Sequence, residues 1–239
     1  MVLRRNNQLM TLAPPEAEGP LRRERLRTAR LYFVCDALPR DEEPEELLRA
    51  ALNGGVDIVQ LREKKLGGGD ALERSARTFR RHCDTYNALF IVNDDPYRAR
   101  AWDADGVHLG QDDMPVEEAR ELLGPEMIIG LSTHSTEQLA AAADTPGVDY
   151  VSVGPIWETP TKEGRPGVGL GLVEHAAASA QHPFFAIGGI DPANAGAVVE
   201  AGARRLGVVR AIRDSDTPMA SARALREALA AVGEAAPGA

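Results

Sequence analysis

The strongest constraint on this chain is a repeated alternation. Short runs of β-branched and apolar residues are each followed by a longer stretch of mixed polarity. The runs fall at 31–35, 58–61, 89–92, 106–109, 127–131, 150–153, 184–187 and 206–209. Stretches of helical period follow at 44–52, 70–83, 116–123, 136–143, 192–201 and 218–232, among others. Strand then helix, repeated, calls for parallel strands, because a tight turn cannot reach a parallel neighbour and a crossover helix can. Eight such units close naturally into a barrel, and 239 residues suit one domain of that kind. A doubly wound open sheet is the competing architecture. No G-x-G-x-x-G follows the first run, and the even spacing favours closure. The chain is therefore expected to be α/β, a single (β/α)8 TIM barrel over residues 30–233. Asp191 before Pro192 marks a helix start, while Gly54, Gly124 and Gly202 stand where helices should stop.

Residues 1–29 carry Arg4, Arg5, Arg22, Arg23, Arg25 and Arg27 with a Pro/Glu patch at 14–20, and they lack apolar periodicity. They are read as a disordered basic tail, with partial helix allowed over 21–30. The glutamates Glu16, Glu18 and Glu24 and the lack of an amphipathic face speak against a targeting peptide. Residues 234–239 are read as a second frayed end. The net charge of −9 disfavours a general affinity for nucleic acid, so an anionic ligand must be met by a local basic cluster. No apolar run approaches the ~20 residues that span a bilayer, so no membrane partner is expected. Cys35 and Cys83 have neither metal nor redox spacing, which suits a reducing cytoplasm. The oligomeric state is open, and a homo-oligomer is compatible with the sequence.

Barrels of this kind carry their chemistry at the carboxyl ends of the strands. The second run ends in Gln60-Leu61-Arg62-Glu63-Lys64, and period-two alternation puts Gln60, Arg62 and Lys64 on one face. A guanidinium fork beside an ammonium suits a diphosphate, whereas a solvated charge run is the bland alternative. The third run ends in Asn93-Asp94-Asp95 and the fourth in Gln111-Asp112-Asp113. Asp94 with either Asp112 or Asp113 is half a cage for Mg²⁺, which takes one or two carboxylates and completes its shell with phosphate and water. Helix capping is the competing role for each of these aspartates.

The fifth run leads to Ser132-Thr133-His134-Ser135. Ser132 offers a hydroxyl to phosphate and Ser135 suits a helix cap. His134 is either an acid–base group or a bridge between strand ends. His108 reads as a hydrogen-bonded core residue. After the sixth run comes a long loop, 154–167, with Thr159, Thr161 and Lys162 between glycines and prolines, the pattern of a functional lid. Gly188-Gly189 after the seventh run allows a phosphate to approach backbone N–H groups, as does the end of the eighth run at Val209-Arg210.

Together, Gln60-Leu61-Arg62-Glu63-Lys64, Asn93-Asp94, the segment from Gly106 to Asp113, Gly130-Leu131-Ser132, Gly154-Pro155-Ile156 with Thr159-Pro160-Thr161-Lys162, and Ala186-Ile187-Gly188-Gly189-Ile190 closely resemble the thiamine-phosphate synthase family. The likeness runs from about Leu31 to the last helix, and its specificity lies in the joint order of motifs, one per strand end. It implies the same barrel fold. It also implies a transferase that moves a 4-amino-2-methylpyrimidin-5-ylmethyl group from its diphosphate to a thiazole phosphate, releasing diphosphate. By likeness Gln60 recognises the pyrimidine. Arg62, Lys64, Asn93, Ser132 and Lys162 grip the diphosphate, with Arg62, Lys64, Ser132 and Lys162 in the catalytic role. Asp94 and Asp113 hold Mg²⁺. Thr159, Thr161 and Gly189 receive the thiazole phosphate, with backbone around Val209 and Arg210. Arg210 departs from the family's usual serine and puts that last contact in doubt. Two alternatives stand beside this expectation. One is a thiazole tautomerase of the same superfamily, which does not need the metal carboxylates. The other is a non-catalytic sensor of phosphorylated ligands.

Overall fold

The computed structural model describes residues 18–159 and 166–231. Eight parallel strands form a closed barrel: β1 (Leu31–Cys35), β2 (Ile58–Leu61), β3 (Leu89–Asn93), β4 (Gly106–Leu109), β5 (Ile128–Thr133), β6 (Tyr150–Val153), β7 (Phe184–Ile187) and β8 (Leu206–Val208). The ring closes where Tyr32 of β1 pairs with Gly207 of β8. The helices are α1 (Glu18–Thr28), α2 (Glu45–Asn53), α3 (Asp70–Tyr86), α4 (Pro96–Ala101), α5 (Val116–Leu123), α6 (Thr136–Ala143), α7 (Leu170–Ser179), α8 (Ala195–Glu200), α9 (Arg210–Arg213) and α10 (Pro218–Ala231). A 3-10 turn (Pro39–Asp41) follows β1. Among the described residues no helix is long and apolar enough to cross a membrane.

The strands read as continuous apolar runs because both faces are covered. Alternate residues separate into two clusters. Leu31, Phe33, Val59, Phe90, Val107 and Ile129 point outward beneath the helices. Tyr32, Ile58, Leu89, Ile91, Tyr150 and Phe185 fill the barrel interior. The barrel is thus a packed core whose upper layers turn polar.

Element ends differ from the sequence reading where polar residues continue a ladder. β3 runs on through Asn93, and β5 takes in Ser132 and Thr133, both buried. β8 ends at Val208, so Arg210 opens α9 instead of ending a strand. The helix expected over 192–201 begins at Ala195. Asp191 instead holds the preceding turn, its carboxylate accepting from the N–H groups of Ala193 and Asn194.

The expected disordered tail over 1–29 is corrected in its second part: residues 18–28 are α1, docked under the barrel. Its buried residues are Gly19, Arg22 and Leu26, so its inner face is largely polar and apolar periodicity could not announce it. Residues 1–17 and 232–239, including the frayed end expected at 234–239, lie outside the described residues.

α1 docks through a regular feature of the amino-terminal rim. Asp57, Asp105 and Asp149 each stand just before an even-numbered strand and accept a hydrogen bond from a backbone N–H of the preceding odd one. The donors are Leu31 at 2.9 Å, Phe90 at 2.8 Å and Ile129 at 2.9 Å. Each carboxylate also takes arginines. Asp57 pairs with Arg226, and Asp149 with Arg23 and Arg120. Asp105, 3 % exposed, takes Arg22, Arg25 and Arg80. Removing one partner of a buried ion pair strands the others. Asp105→Asn is therefore expected to lower unfolding stability by about 3 kcal/mol, read as a reduced denaturation midpoint.

Candidate active site

A cavity of about 500 Å³ opens at the carboxyl-terminal mouth of the barrel. The alternation in β2 acts as expected: Gln60, Arg62 and Lys64 all line it. Gln60 is nearly closed off from solvent and donates from its amide Nε2 to Tyr32 Oη at 2.9 Å. Lys64 reaches across to an ion pair with Asp94. Glu63, between these cavity residues, faces away and accepts from the N–H groups of Ala37, Lys65 and Leu66. Those contacts hold its carboxyl below the usual range against the opposing effect of burial.

The next two strand ends divide their carboxylates by role. Asp95 caps α4, accepting from the Arg98 N–H at 3.0 Å. Asp94, its neighbour, faces the cavity from a left-handed backbone, φ 64°, held by its N–H on the His108 carbonyl at 2.8 Å. A non-glycine residue kept in that region at a strand end marks a place where the direction of the side chain outweighs backbone comfort. Asp113 does not cap α5. It accepts from the Gly110 N–H at 2.6 Å and lies against Asp94. Burial raises the Asp113 carboxyl above its ordinary value; the Gly110 N–H opposes this, and neighbouring Asp94 raises it further. Asp112 also lines the cavity but is exposed.

Two adjoining carboxylates, one of them raised by burial and by its neighbour, are a donor pair that a divalent cation would relieve. Among the described residues no group of three or more His, Cys, Asp or Glu side chains is arranged to hold a metal ion. The protein thus offers two ligands, and a cation there would need oxygens from substrate and water.

Asn93 and Ser132 complete this wall. Ser132 Oγ lies 2.9 Å from His108 Nε2, and Gln111 binds the Ser132 carbonyl at 2.6 Å. Ser135 caps α6. His134 lines the cavity, but its ring Nδ1 lies 2.5 Å from the Gly154 carbonyl, bridging two strand ends. The opposite wall consists of Thr159, Gly188, Gly189, Val209 and Arg210. Gly188 has φ 106°, and a Cβ there would lie 2.4 Å from Pro155 Cα, so only glycine lets β7 turn beneath the β6 loop. That loop is closed at its base: Val168 donates to Pro155 at 2.8 Å and Gly169 to Ile156 at 3.0 Å. Arg210 is exposed at the cavity edge. Thr161 and Lys162 lie outside the described residues. Every other residue expected at the site reaches this one cavity.

Tyr32, Ser152, Phe185 and Ile187, not anticipated as site residues, also line it. Their inward parity on β1, β6 and β7 was the signal that could have found them. Tyr150 packs beneath them, opposite Gly130.

Residues 31–212 match the family model described as thiamine monophosphate synthase. The chain belongs to this family. It is 50 % identical over 201 residues to the thiamine-phosphate synthase of Streptomyces avermitilis, covering 84 % of this chain and 93 % of the relative. It is 47 % identical over 221 residues to that of Saccharopolyspora erythraea, covering 90 % and 99 %. A solved thiamine phosphate pyrophosphorylase from Pyrococcus furiosus superposes with a TM-score of 0.75 at 32 % identity, covering 89 % of this chain and 98 % of that one. The barrel and its mouth are therefore those of a thiamine monophosphate synthase family member.

The floor of the site leaves no spare volume. A Cβ on Gly130 would sit 2.1 Å from Tyr150 Cζ. Gly130→Ala is expected to cost about 1–3 kcal/mol of stability through overpacking, although Gly→Ala elsewhere often stabilises. Chemical denaturation of the variant checks this.

Proposed function

We propose that this chain joins a 4-amino-2-methylpyrimidin-5-ylmethyl diphosphate to 4-methyl-5-(2-phosphoethyl)thiazole, or its carboxylated form, giving thiamine phosphate and diphosphate. The observation that carries this reading is the convergence of Gln60, Arg62, Lys64, Asn93, Asp94, Asp113 and Ser132 on one wall of a single cavity, with the Gly188-Gly189 turn opposite. One wall suits a diphosphate with its cation, and the other suits a second phosphate.

In this reading the carbon–oxygen bond breaks with its electron pair leaving on diphosphate. The aminopyrimidine delocalises the resulting positive charge, and the thiazole nitrogen then supplies the pair that forms the new carbon–nitrogen bond. No protein nucleophile is needed. Arg62 and Lys64 bring positive charge to where the leaving oxygens gain negative charge, Asn93 and Ser132 add hydrogen bonds to them, and Lys162 is assigned to the same task by the family resemblance alone. Gln60 orients the pyrimidine by its polar edge. Thr159, Thr161 and the backbone at Gly189, Val209 and Arg210 hold the thiazole phosphate, so that both reactants stand in line before the bond breaks. Asp94 and Asp113 hold Mg²⁺, which when bound supplies further positive charge to the departing diphosphate. We place the reaction in the cytoplasm, which the two free, buried cysteines Cys35 and Cys83 support.

Purified protein given Mg²⁺ and both substrates is expected to release diphosphate and form thiamine phosphate. Tight binding of either phosphate compound without turnover would instead point to a sensor, and interconversion of thiazole isomers alone to a tautomerase. Asp94→Asn is expected to lower turnover about 10²-fold, the scale of losing one contact to developing charge. Undiminished activity in EDTA would remove the metal assignment.

A further inference from the structure

A chain of hydrogen bonds crosses the barrel interior under the cavity. It links the residue proposed to read the pyrimidine with one proposed to grip the diphosphate. Gln60 Nε2 lies 2.9 Å from Tyr32 Oη. Tyr32 Oη is 2.8 Å from Tyr150 Oη, which is 3.0 Å from His108 Nδ1. His108 Nε2 is 2.9 Å from Ser132 Oγ and 3.4 Å from Ser152 Oγ. The five principal members come from β2, β1, β6, β4 and β5, so the chain spans more than half the ring.

The donors in this chain can be ordered from one end. An amide nitrogen only donates, so Tyr32 Oη accepts from Gln60. If Tyr32 also accepted from Tyr150, its own hydrogen would be left without either neighbour, a costly outcome for a buried hydroxyl. Tyr32 therefore donates to Tyr150, and Tyr150 donates to His108 Nδ1. The proton of the neutral imidazole then sits on Nε2 and is given to Ser132 Oγ. Ser132 accepts on the barrel side and keeps its own hydrogen for the cavity, which is the polarity an anion requires. With the order reversed, Ser132 would spend its hydrogen on His108 and turn lone pairs toward a diphosphate. Burial raises both phenols well above their ordinary range, so they remain neutral donors throughout the working pH range.

We propose that Tyr150 is a positioning residue whose hydroxyl sets this order, fixing the Nε2–H form of His108 and the donor direction of Ser132, and through Tyr32 steadying the Gln60 amide. The inference rests on the function proposed above. Tyr150 suits the task because it is fully buried and its ring is fixed edge-on against Phe185, with Gly130 making room for it. Removing only its oxygen leaves that packing in place.

The test uses the full-length protein labelled with ¹⁵N-histidine. The His108 signals are assigned by their loss in His108→Gln, and their two nitrogen shifts report the tautomer. Wild type is expected to show Nε2–H. Tyr150→Phe is expected to keep its melting temperature within a few degrees and to shift His108 toward a mixture of tautomers. Its kcat should fall about tenfold, the equivalent of one directed hydrogen bond, with KM for the thiazole phosphate unchanged. Tyr32→Phe should retain the His108 tautomer while raising KM for the pyrimidine diphosphate about tenfold. Nδ1–H in wild type overturns the proposal without any variant. So does a Tyr150→Phe protein with the wild-type tautomer and wild-type kinetics. Wild type that forms no thiamine phosphate defeats the proposed function instead, while the tautomer still decides the proton order.

Discussion

Asp57, Asp105 and Asp149 bind the backbone of the strand that precedes their own and collect arginines from the surrounding helices. That repeated bond ties odd strands to even ones at the amino-terminal rim, where a small slip in stagger would change which side chains face inward. Parity is what brings Gln60, His108 and Ser132 to the same interior, so the chemistry at one end depends on electrostatics at the other. α1 belongs to this arrangement. Its arginines cover carboxylates that would otherwise stand against a partly closed barrel floor.

Above that rim the barrel interior passes from apolar to polar within two layers. Ile58, Leu89 and Ile128 lie deepest in the interior; Gln60 stands one inward position above Ile58, His108 is level with Gly130, and Ser132 stands two inward positions above Ile128. The polar layer tolerates burial because its members satisfy one another. It gives the cavity a floor whose hydrogen bonds are made within the protein itself, Gln60 to Tyr32, Tyr32 with Tyr150, and His108 with Tyr150 and Ser132.

Much of this was legible in the sequence. All eight strands fall where short apolar runs stand, and the cavity residues on β2, β3 and β4 follow from alternation at strand ends. The misreadings have physical causes. Asn93, Ser132 and Thr133 continue strands because backbone pairing, not side-chain polarity, decides where a ladder stops. α7 is apolar around most of its circumference and α4 has only six residues, so neither displays a clear period. α1 buries arginine, which no apolar pattern can announce. The division between Asp94 and Asp95 depended on cap geometry, and the linked phenols of Tyr32 and Tyr150 on a register that spans strands far apart in sequence.

The loop after β6 leaves and rejoins the barrel through a neck sealed by Val168 on Pro155 and Gly169 on Ile156. Whatever sequence lies beyond that seal inherits the same two points of departure. Sequence change beyond the neck can therefore be absorbed while the two closing bonds and the Gly188–Pro155 contact beneath them stay as they are, which leaves the barrel wall insulated from variation in its crossover.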